Sequence, residues 1–255
     1  MAWRNFFGIV EKHSGRGACN MFLAAIAGIC FTVLVIAALI YVFPMFSMHP
    51  LDSGRIEGTG IIAIKNRINN LFFIPSGEAW IVIDAGSDAE LIKQEMKRMS
   101  IDGHKVKAVF LTHTDYDHVA AVTLFPNAVI YMSEQEEQMI DGSTRRQFLK
   151  KNSLPKSNNF NKVEYLSDNK VVDLHEHKVR IIRASGHTKG SAMYALDEKY
   201  LFTGDAFKIA ANRVLLHPYT MDRKAAQETI CRIKDELKNY EKVFTAHYGL
   251  MEMKE

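Results

Sequence analysis

Short runs of Val, Ile, Leu and Phe, each cut off by Gly, Pro or charged residues, recur from residue 60 onward, while one uninterrupted apolar stretch occupies the N-terminal end. The short runs read as strands at 60–65, 70–74, 79–84, 106–112 and 128–132, and again at 162–166, 171–174, 179–184, 191–196, 200–203 and 242–246. Helical spacing appears between them. Residues 88–99 place Leu91, Ile92, Met96 and Met99 on one face behind Asp88 as N-cap, residues 133–140 open with a Ser133/Glu136 capping box, and 222–238 forms a third helix. Strands and helices alternating on this scale predict a layered α/β sandwich with helices on the outer faces of the sheets.

The long apolar stretch is different in kind. No Asp, Glu, Lys or Arg lies between Gly17 and Leu51, and residues 21–43 are almost wholly apolar. As a helix these residues reach roughly 34 Å, enough for a hydrocarbon core of about 30 Å. The run exceeds the roughly 7 to 15 residues of a signal-peptide core, and no small-x-small cleavage site follows it. The chain therefore divides into a basic N-terminal segment (1–20), a transmembrane helix (21–46), a linker (47–58) marked by Pro50, Gly54 and Gly58, and a folded domain (59–255). Arg4, Lys12 and Arg16 precede the helix, whereas only Arg55 follows it closely. The positive-inside rule then gives a single-pass protein of the cell membrane, its N-terminus cytoplasmic and its domain extracytoplasmic.

The whole chain has 32 basic and 29 acidic residues; without the three basic and one acidic residues of 1–46, 29 stand against 28. That balance argues against a nucleic-acid partner, which would call for a basic face. Cys19 and Cys30 precede or lie within the apolar stretch, so Cys231 is alone in the domain, which excludes an internal disulfide or a CxxC zinc site there. The polar run 144–162, with Arg145, Arg146, Lys150, Lys151 and Lys156, reads as a solvated loop, or as a flap that attracts an anionic substrate.

The chemistry is concentrated directly after the apolar strands. His113, Asp115, Asp117 and His118 crowd into six residues behind Val109-Phe110-Leu111. Such a cluster repels itself and loses hydration unless a cation compensates. Nitrogen and oxygen donors without thiolates point to Zn²⁺, Mn²⁺ or Fe. The same pattern returns at His187, Asp205 and His247, each behind a strand, and adjacent strand ends bring such residues to one edge of a sandwich. Asp84 ends another strand and is read as a carboxylate that accepts a hydrogen bond from a ligating imidazole and orients it; an Asp in an ordinary strand-to-helix turn is the alternative. Gly186, Gly190, Gly204 and Gly249 are expected to let backbone approach an ion closely. His175 and His177 read as hairpin-turn residues, His217 as a loop residue with substrate contact as the alternative, and Tyr116 and Tyr248, beside the ligands, as pocket-lining or proton-donating residues or equally as packing residues.

The segments HTDYDH (113–118), GHTKGS (186–191), TGDA (203–206) and AHYG (246–249) resemble, in order and spacing, the motifs of the metallo-β-lactamase fold superfamily. The resemblance runs from about Thr59 to Gly249 and implies a four-layer αβ/βα sandwich carrying two divalent metal ions bridged by hydroxide. By that likeness His113, Asp115 and His187 hold one metal, Asp117, His118 and His247 the other, and Asp205 bridges them. It further implies hydrolysis of an ester, lactone, thioester, amide or phosphoester in a small-molecule substrate, with Asp117 also orienting the nucleophile or carrying a proton.

Asp115 departs from the pattern, which usually has His at that position, and Ala120-Ala121 replace a pair of glycines. With three aspartates instead of two, the formal charge of a two-ion site falls from two to one. Zinc is the expected metal, but this loss of positive charge would favour Mn²⁺ or Fe. Flavin-dependent di-iron oxidoreductases of the same fold are an alternative, though eight residues after His247 leave no room for the flavodoxin-like domain they add. A substrate-binding region of the glyoxalase II kind is not expected for the same reason. A non-catalytic metal-binding sensor is the third possibility.

Overall fold

The computed structural model describes residues 2–146, 151–155 and 162–253, and the chain divides into two compact units, 1–47 and 48–255. The first is the helix α1 (Ala2–Val42) followed by a 3-10 turn, Phe43–Ser47. Within it Asn20–Ser47 is long and apolar enough to cross a membrane by length and composition. Phe22, Leu34 and Ile40 are among its exposed side chains.

The second unit begins with strands β1 (Gly54–Arg55), β2 (Ile62–Asn66), β3 (Asn69–Ser76) and β4 (Ala79–Ile83). Helix α2 (Ala89–Arg98), β5 (Val106–Phe110), the single turn α3 (Tyr116–Val119), β6 (Val129–Ser133), α4 (Glu137–Asp141) and β7 (Val163–Leu166) follow. These seven strands form one sheet in the order β1-β2-β3-β4-β5-β6-β7, antiparallel up to β4 and parallel from β4 to β7. The chain continues through β8 (Val171–Leu174), β9 (His177–Arg183), β10 (Ala192–Leu196), β11 (Tyr200–Phe202), β12 (Lys208–Ala210), β13 (Arg213–Leu215), α5 (Arg223–Ile233), β14 (Lys242–Phe244) and β15 (Leu250–Glu252). A second sheet has the order β15-β14-β11-β10-β9-β8, and β12 and β13 form a separate hairpin.

Near-continuous apolar strands are required because both faces of each sheet are covered. Successive side chains point to opposite faces. Thus Phe72, Ile74, Ile81, Ile83 and Phe110 enter the layer between the sheets, where they meet Ile181, Tyr194, Phe202 and Phe244. Their neighbours Leu71, Phe73 and Val82 pack with Ile92 and Met96 of α2. On the far side Ile182, Met193, Leu201 and Val243 pack with Ile230 and Ile233 of α5. Three apolar layers between four layers of secondary structure make an αβ/βα sandwich.

Several elements differ from the sequence expectation. Gly54–Arg55 lies in the stretch read as a linker, yet pairs with β2, and the nearby Leu51 amide donates to Asn70 Oδ1 at 2.7 Å. The β12–β13 hairpin was not foreseen because its turn residues, Ala211 and Asn212, lack the usual glycine; both adopt positive φ (48° and 59°), as a two-residue primed turn demands. Helix α5 stops at Ile233 rather than 238, and the 3-10 turn Leu237–Asn239 carries Leu237 back into the core. Asp88 caps α2 as expected, accepting from the Leu91 amide at 3.2 Å.

The segment 133–140 is the instructive correction. Ser133 caps a 3-10 turn, accepting from the Gln135 amide, and Glu136 makes no capping box. Glu136 instead is fully buried. Its Oε1 accepts from the Thr114 amide and hydroxyl, both at 2.7 Å, and its Oε2 from the Thr188 hydroxyl at 2.7 Å and the Gly190 amide at 3.2 Å. It thereby ties the loop after β5 to the loop between β9 and β10. Burial pushes its carboxyl upward, opposed by His113 and by these donors. Position 190 must be glycine for this contact, since a Cβ there would lie 2.0 Å from the Glu136 amide nitrogen. The glycine serves protein packing, not the approach of backbone to an ion.

Replacing Glu136 with Ala leaves four donors without their acceptor, each orphan costing about 1–3 kcal/mol. The expected result is a loss of roughly 3 kcal/mol or more in urea unfolding, with Glu136→Gln intermediate. An unchanged midpoint for the alanine variant contradicts the bridging role.

Candidate metal centre

The seven residues singled out in the sequence arrive at one rim of the sandwich from four loops. The loop after β5 brings His113, Asp115, Asp117 and His118, the last two on α3; the β9–β10 loop brings His187, the turn after β11 brings Asp205, and the loop after β14 brings His247. His113, His118, His187, Asp205 and His247 are all buried, and Asp115 and Asp117 are partly exposed.

Asp205 stands at the centre. Its Oδ1 faces His247 Nε2 at 3.2 Å and His118 Nε2 at 3.7 Å, while its Oδ2 faces His187 Nε2 at 3.4 Å and His113 Nε2 at 4.0 Å. Asp117 Oδ2 lies 3.4 Å from His247 Nε2 and 3.7 Å from His118 Nε2. Two groups of donor atoms result, each within 4.8 Å: His113, His187 and Asp205, and Asp117, His118 and His247. The turn at Asp205 depends on Gly204, whose φ is 52° and where a Cβ would meet the Thr112 hydroxyl at 2.4 Å.

The imidazoles are held from behind. Asp84, at a φ of 59° that Asp tolerates better than most residues, accepts from the Thr112 amide at 2.8 Å, and its Oδ2 lies 2.9 Å from His118 Nδ1. His247 Nδ1 lies 2.7 Å from the Ile68 carbonyl in the β2–β3 turn. A proton on each Nδ1 satisfies these acceptors, so that each Nε2 would have a lone pair to give a cation bound beside Asp205. Asn69 in the same turn donates to the Asp117 carbonyl.

The electrostatics follow from burial against charge. Burial opposes ionisation of Asp205, but His247, His217, His187 and His118 hold its carboxyl well below the ordinary range. Burial likewise opposes ionisation of Asp115, which hydrogen bonds to His113 and His187 overcome. Burial disfavours protonated His118, yet Asp84, Asp117 and Asp205 raise it well above an ordinary imidazole. Burial depresses His187, Asp205 and Asp115 notwithstanding.

These residues fit a bound cation on an internal test. His113 Nε2, His118 Nε2 and Asp205 Oδ1 are buried and lack a hydrogen-bond partner among the described residues, although a buried polar atom normally has one. All three point into the same space. Neutral imidazole and carboxylate donors suit divalent metal ions such as zinc, manganese or iron.

Two segments outside the carried-over ligand set also reach the rim, the polar run with Arg146 and Asn152 and the loop of His217. Arg146, from the run taken as a solvated loop, turns inward: its Nη2 lies 2.6 Å from Asp115 Oδ2 and 3.1 Å from His187 Nε2, and its Nη1 donates to the Tyr219 carbonyl. Asn152 donates to Asp115 Oδ1 at 3.0 Å. The guanidinium offsets the negative charge that the carboxylate at position 115 adds. Lys150 and Lys156 of that run fall outside the described residues. His217 is the second: it is buried, with Nε2 3.6 Å from Asp205 Oδ2. A lone His-Pro in a loop carried no spacing signal, and only its place after the TGDA turn hinted at the site. By contrast His175 and His177 are indeed at the β8–β9 hairpin turn, with His177 Nδ1 2.6 Å from Asp197 Oδ2. Tyr116 is exposed, and Tyr248 is buried with its ring edge-on to His217.

Known proteins resemble this chain in sequence and in fold. The chain is 26% identical over 175 residues to a probable metallo-hydrolase of Methanocaldococcus jannaschii, covering 67% of this chain and 72% of that one. It is 30% identical over 145 residues to a hydroxyacylglutathione hydrolase of Glaesserella parasuis, covering 55% of this chain, and spans about half the length of that relative. In three dimensions a subclass B3 metallo-beta-lactamase from a soil metagenome library superposes with a TM-score of 0.60 at 17% identity, over 79% of this chain and 81% of that one. An archaeal metallo-beta-lactamase superfamily protein from Sulfolobus tokodaii does so with 0.56 at 22%, over 76% and 82%. The family model of the metallo-beta-lactamase superfamily matches residues 65–247, from β2 to the last histidine of the rim. With the sandwich, the rim of His and Asp and this match in agreement, the chain belongs to the metallo-beta-lactamase superfamily.

Proposed function

We propose that the protein is a membrane-anchored, dinuclear metal-dependent hydrolase acting on an ester, lactone, thioester, amide or phosphoester of a small-molecule substrate. The observation that carries the reading is the convergence of partnerless buried donor atoms from separate loops on one rim. One ion would be held by His113, His187 and Asp205 with Asp115 beside them, and the other by Asp117, His118, His247 and Asp205. A pair of divalent ions, zinc in the first instance, supplies a Lewis acid and makes water a nucleophile at neutral pH.

The chain's own residues do the rest. Asp84 and the Ile68 carbonyl fix the orientation of His118 and His247. Asp117, the most exposed acid of the rim, is placed to orient the attacking water or to carry a proton toward a leaving group. Arg146 neutralises Asp115 and offers a cation to an acidic substrate group. The hydrolase names borne by curated relatives support this reaction class. The N-terminal apolar helix supports membrane anchoring, and its flanking charges support a cytoplasmic N-terminus with the domain outside.

Metal analysis of the full-length chain in detergent should return close to two divalent ions per chain. Chelation should abolish hydrolysis across a panel of esters, lactones, thioesters, amides and phosphoesters, with recovery on metal addition. It should also lower the melting midpoint by about 5–10 °C, given ligand stabilisation of about 2.7 kcal/mol at a hundredfold excess over Kd. His113→Ala or Asp205→Ala should cut turnover by roughly 10³-fold; an active, metal-free double variant ends the proposal. Asp84→Asn should weaken metal affinity by about 10–100-fold while the fold persists, measured by competition with a chromogenic chelator. Sedimentation with lipid vesicles that survives alkaline carbonate tests the anchor, and a chain lacking residues 1–47 should stay in the supernatant.

A further inference from the structure

His217 follows β13 in a turn that Thr220 closes, its hydroxyl donating to the His217 carbonyl at 2.8 Å. The turn is fastened to the site because the Met221 amide donates to the His187 carbonyl at 3.2 Å. The imidazole is 1% exposed, and its Nε2 has no hydrogen-bond partner among the described residues. Its ring centroid lies 4.8 Å from that of His187 and 5.7 Å from that of His247. With Asp205 and His247 it forms a third set of donor atoms within 4.8 Å of one another. Among the described residues its Nδ1 accepts from the Tyr219 amide at 3.4 Å, near the outer limit of a hydrogen bond. A buried ring nitrogen left without a partner is costly, and the ligand set carried over from the family motifs gives this one nothing to do.

The sequence lacks an imidazole elsewhere in the same site. Position 115 carries a carboxylate, and both of its oxygens are engaged, Oδ2 by Arg146 at 2.6 Å and Oδ1 by Asn152 at 3.0 Å. Asp205 is divided between two sides: Oδ1 faces His118 and His247, and Oδ2 faces His113, His187 and His217. His217 Nε2 thus shares Asp205 Oδ2 with His113 and His187, on the side whose usual second histidine is missing, while the donor group it closes within 4.8 Å is the one with Asp205 and His247. We propose that His217 is a metal ligand of this protein, joining His113, His187 and Asp205 in place of the imidazole absent at position 115, while Asp115 remains paired with Arg146. The inference rests on the two-ion reading above and changes which side chains complete the first position.

The test is Co²⁺ titration of the metal-free full-length chain in detergent, read by visible absorption and by bound metal after gel filtration. The wild type should take up two equivalents. His217→Ala should keep one and lose affinity for the other by more than the roughly 10–100-fold that a merely supporting residue costs, with loss of part of the Co²⁺ absorption band. Adding Asp115→His to His217→Ala returns an imidazole to the position and should restore the second equivalent. His217→Gln, checked by circular dichroism, takes the place of the alanine variant if that one fails to fold. A variant without His217 that binds two Co²⁺ with the wild-type affinity and spectrum overturns the inference and leaves His217 a hydrogen-bond donor. Fewer than two equivalents in the wild type overturns the two-ion reading itself.

Discussion

The interaction on which the site depends is the one between buried Asp205 and the imidazoles gathered around it. A carboxylate out of water is unfavourable unless positive charge or donors surround it. Here His118, His187, His217 and His247 approach it from four loops, and hold it ionised despite its burial. Nε2 of His118 and of His217, with that of His113, faces the site with no hydrogen-bond partner among the described residues. The rim is therefore organised around a cation, and the layers beneath it exist to keep the four loops in register.

That register is maintained by a few buried polar residues behind the site. Glu136 joins the loop of His113 to the loop of His187, and Asp84 joins the strand end at Thr112 to His118. The β2–β3 turn holds His247 through the Ile68 carbonyl and Asp117 through Asn69. Each is a hydrogen-bonded polar group inside an apolar sandwich, where an unmet partner is expensive and a met one specifies a single geometry. Loop variation around such a frame leaves the metal chemistry constant and allows the substrate to change.

Arg146 and His217 give this chain its own variant of the frame. The carboxylate at position 115 would leave the site short of one imidazole and with one negative charge in excess. Arg146 answers the charge and His217 stands where an imidazole is wanted. Both come from segments outside the recurrent motifs, so the adjustment is a tertiary one.

The alternation of apolar positions was enough to determine the layered α/β class, most strands to within a residue or two, and the two helices that cover the sheets. The ligand-type residues were legible because each follows an apolar run directly, which is a local property of the chain. That the first helix is long and apolar enough to cross a membrane is likewise a matter of uninterrupted apolar length. What only the folded state decided are the pairings between distant segments: Glu136 as a bridge instead of a cap, the β12–β13 hairpin with its Ala-Asn turn, Arg146 turned inward, and His217 beside Asp205. These residues look like ordinary surface or loop positions in sequence, since nothing local distinguishes a solvated side chain from a buried one. Burial, and with it the demand that every polar atom find a partner, arises only when the sheets close on each other.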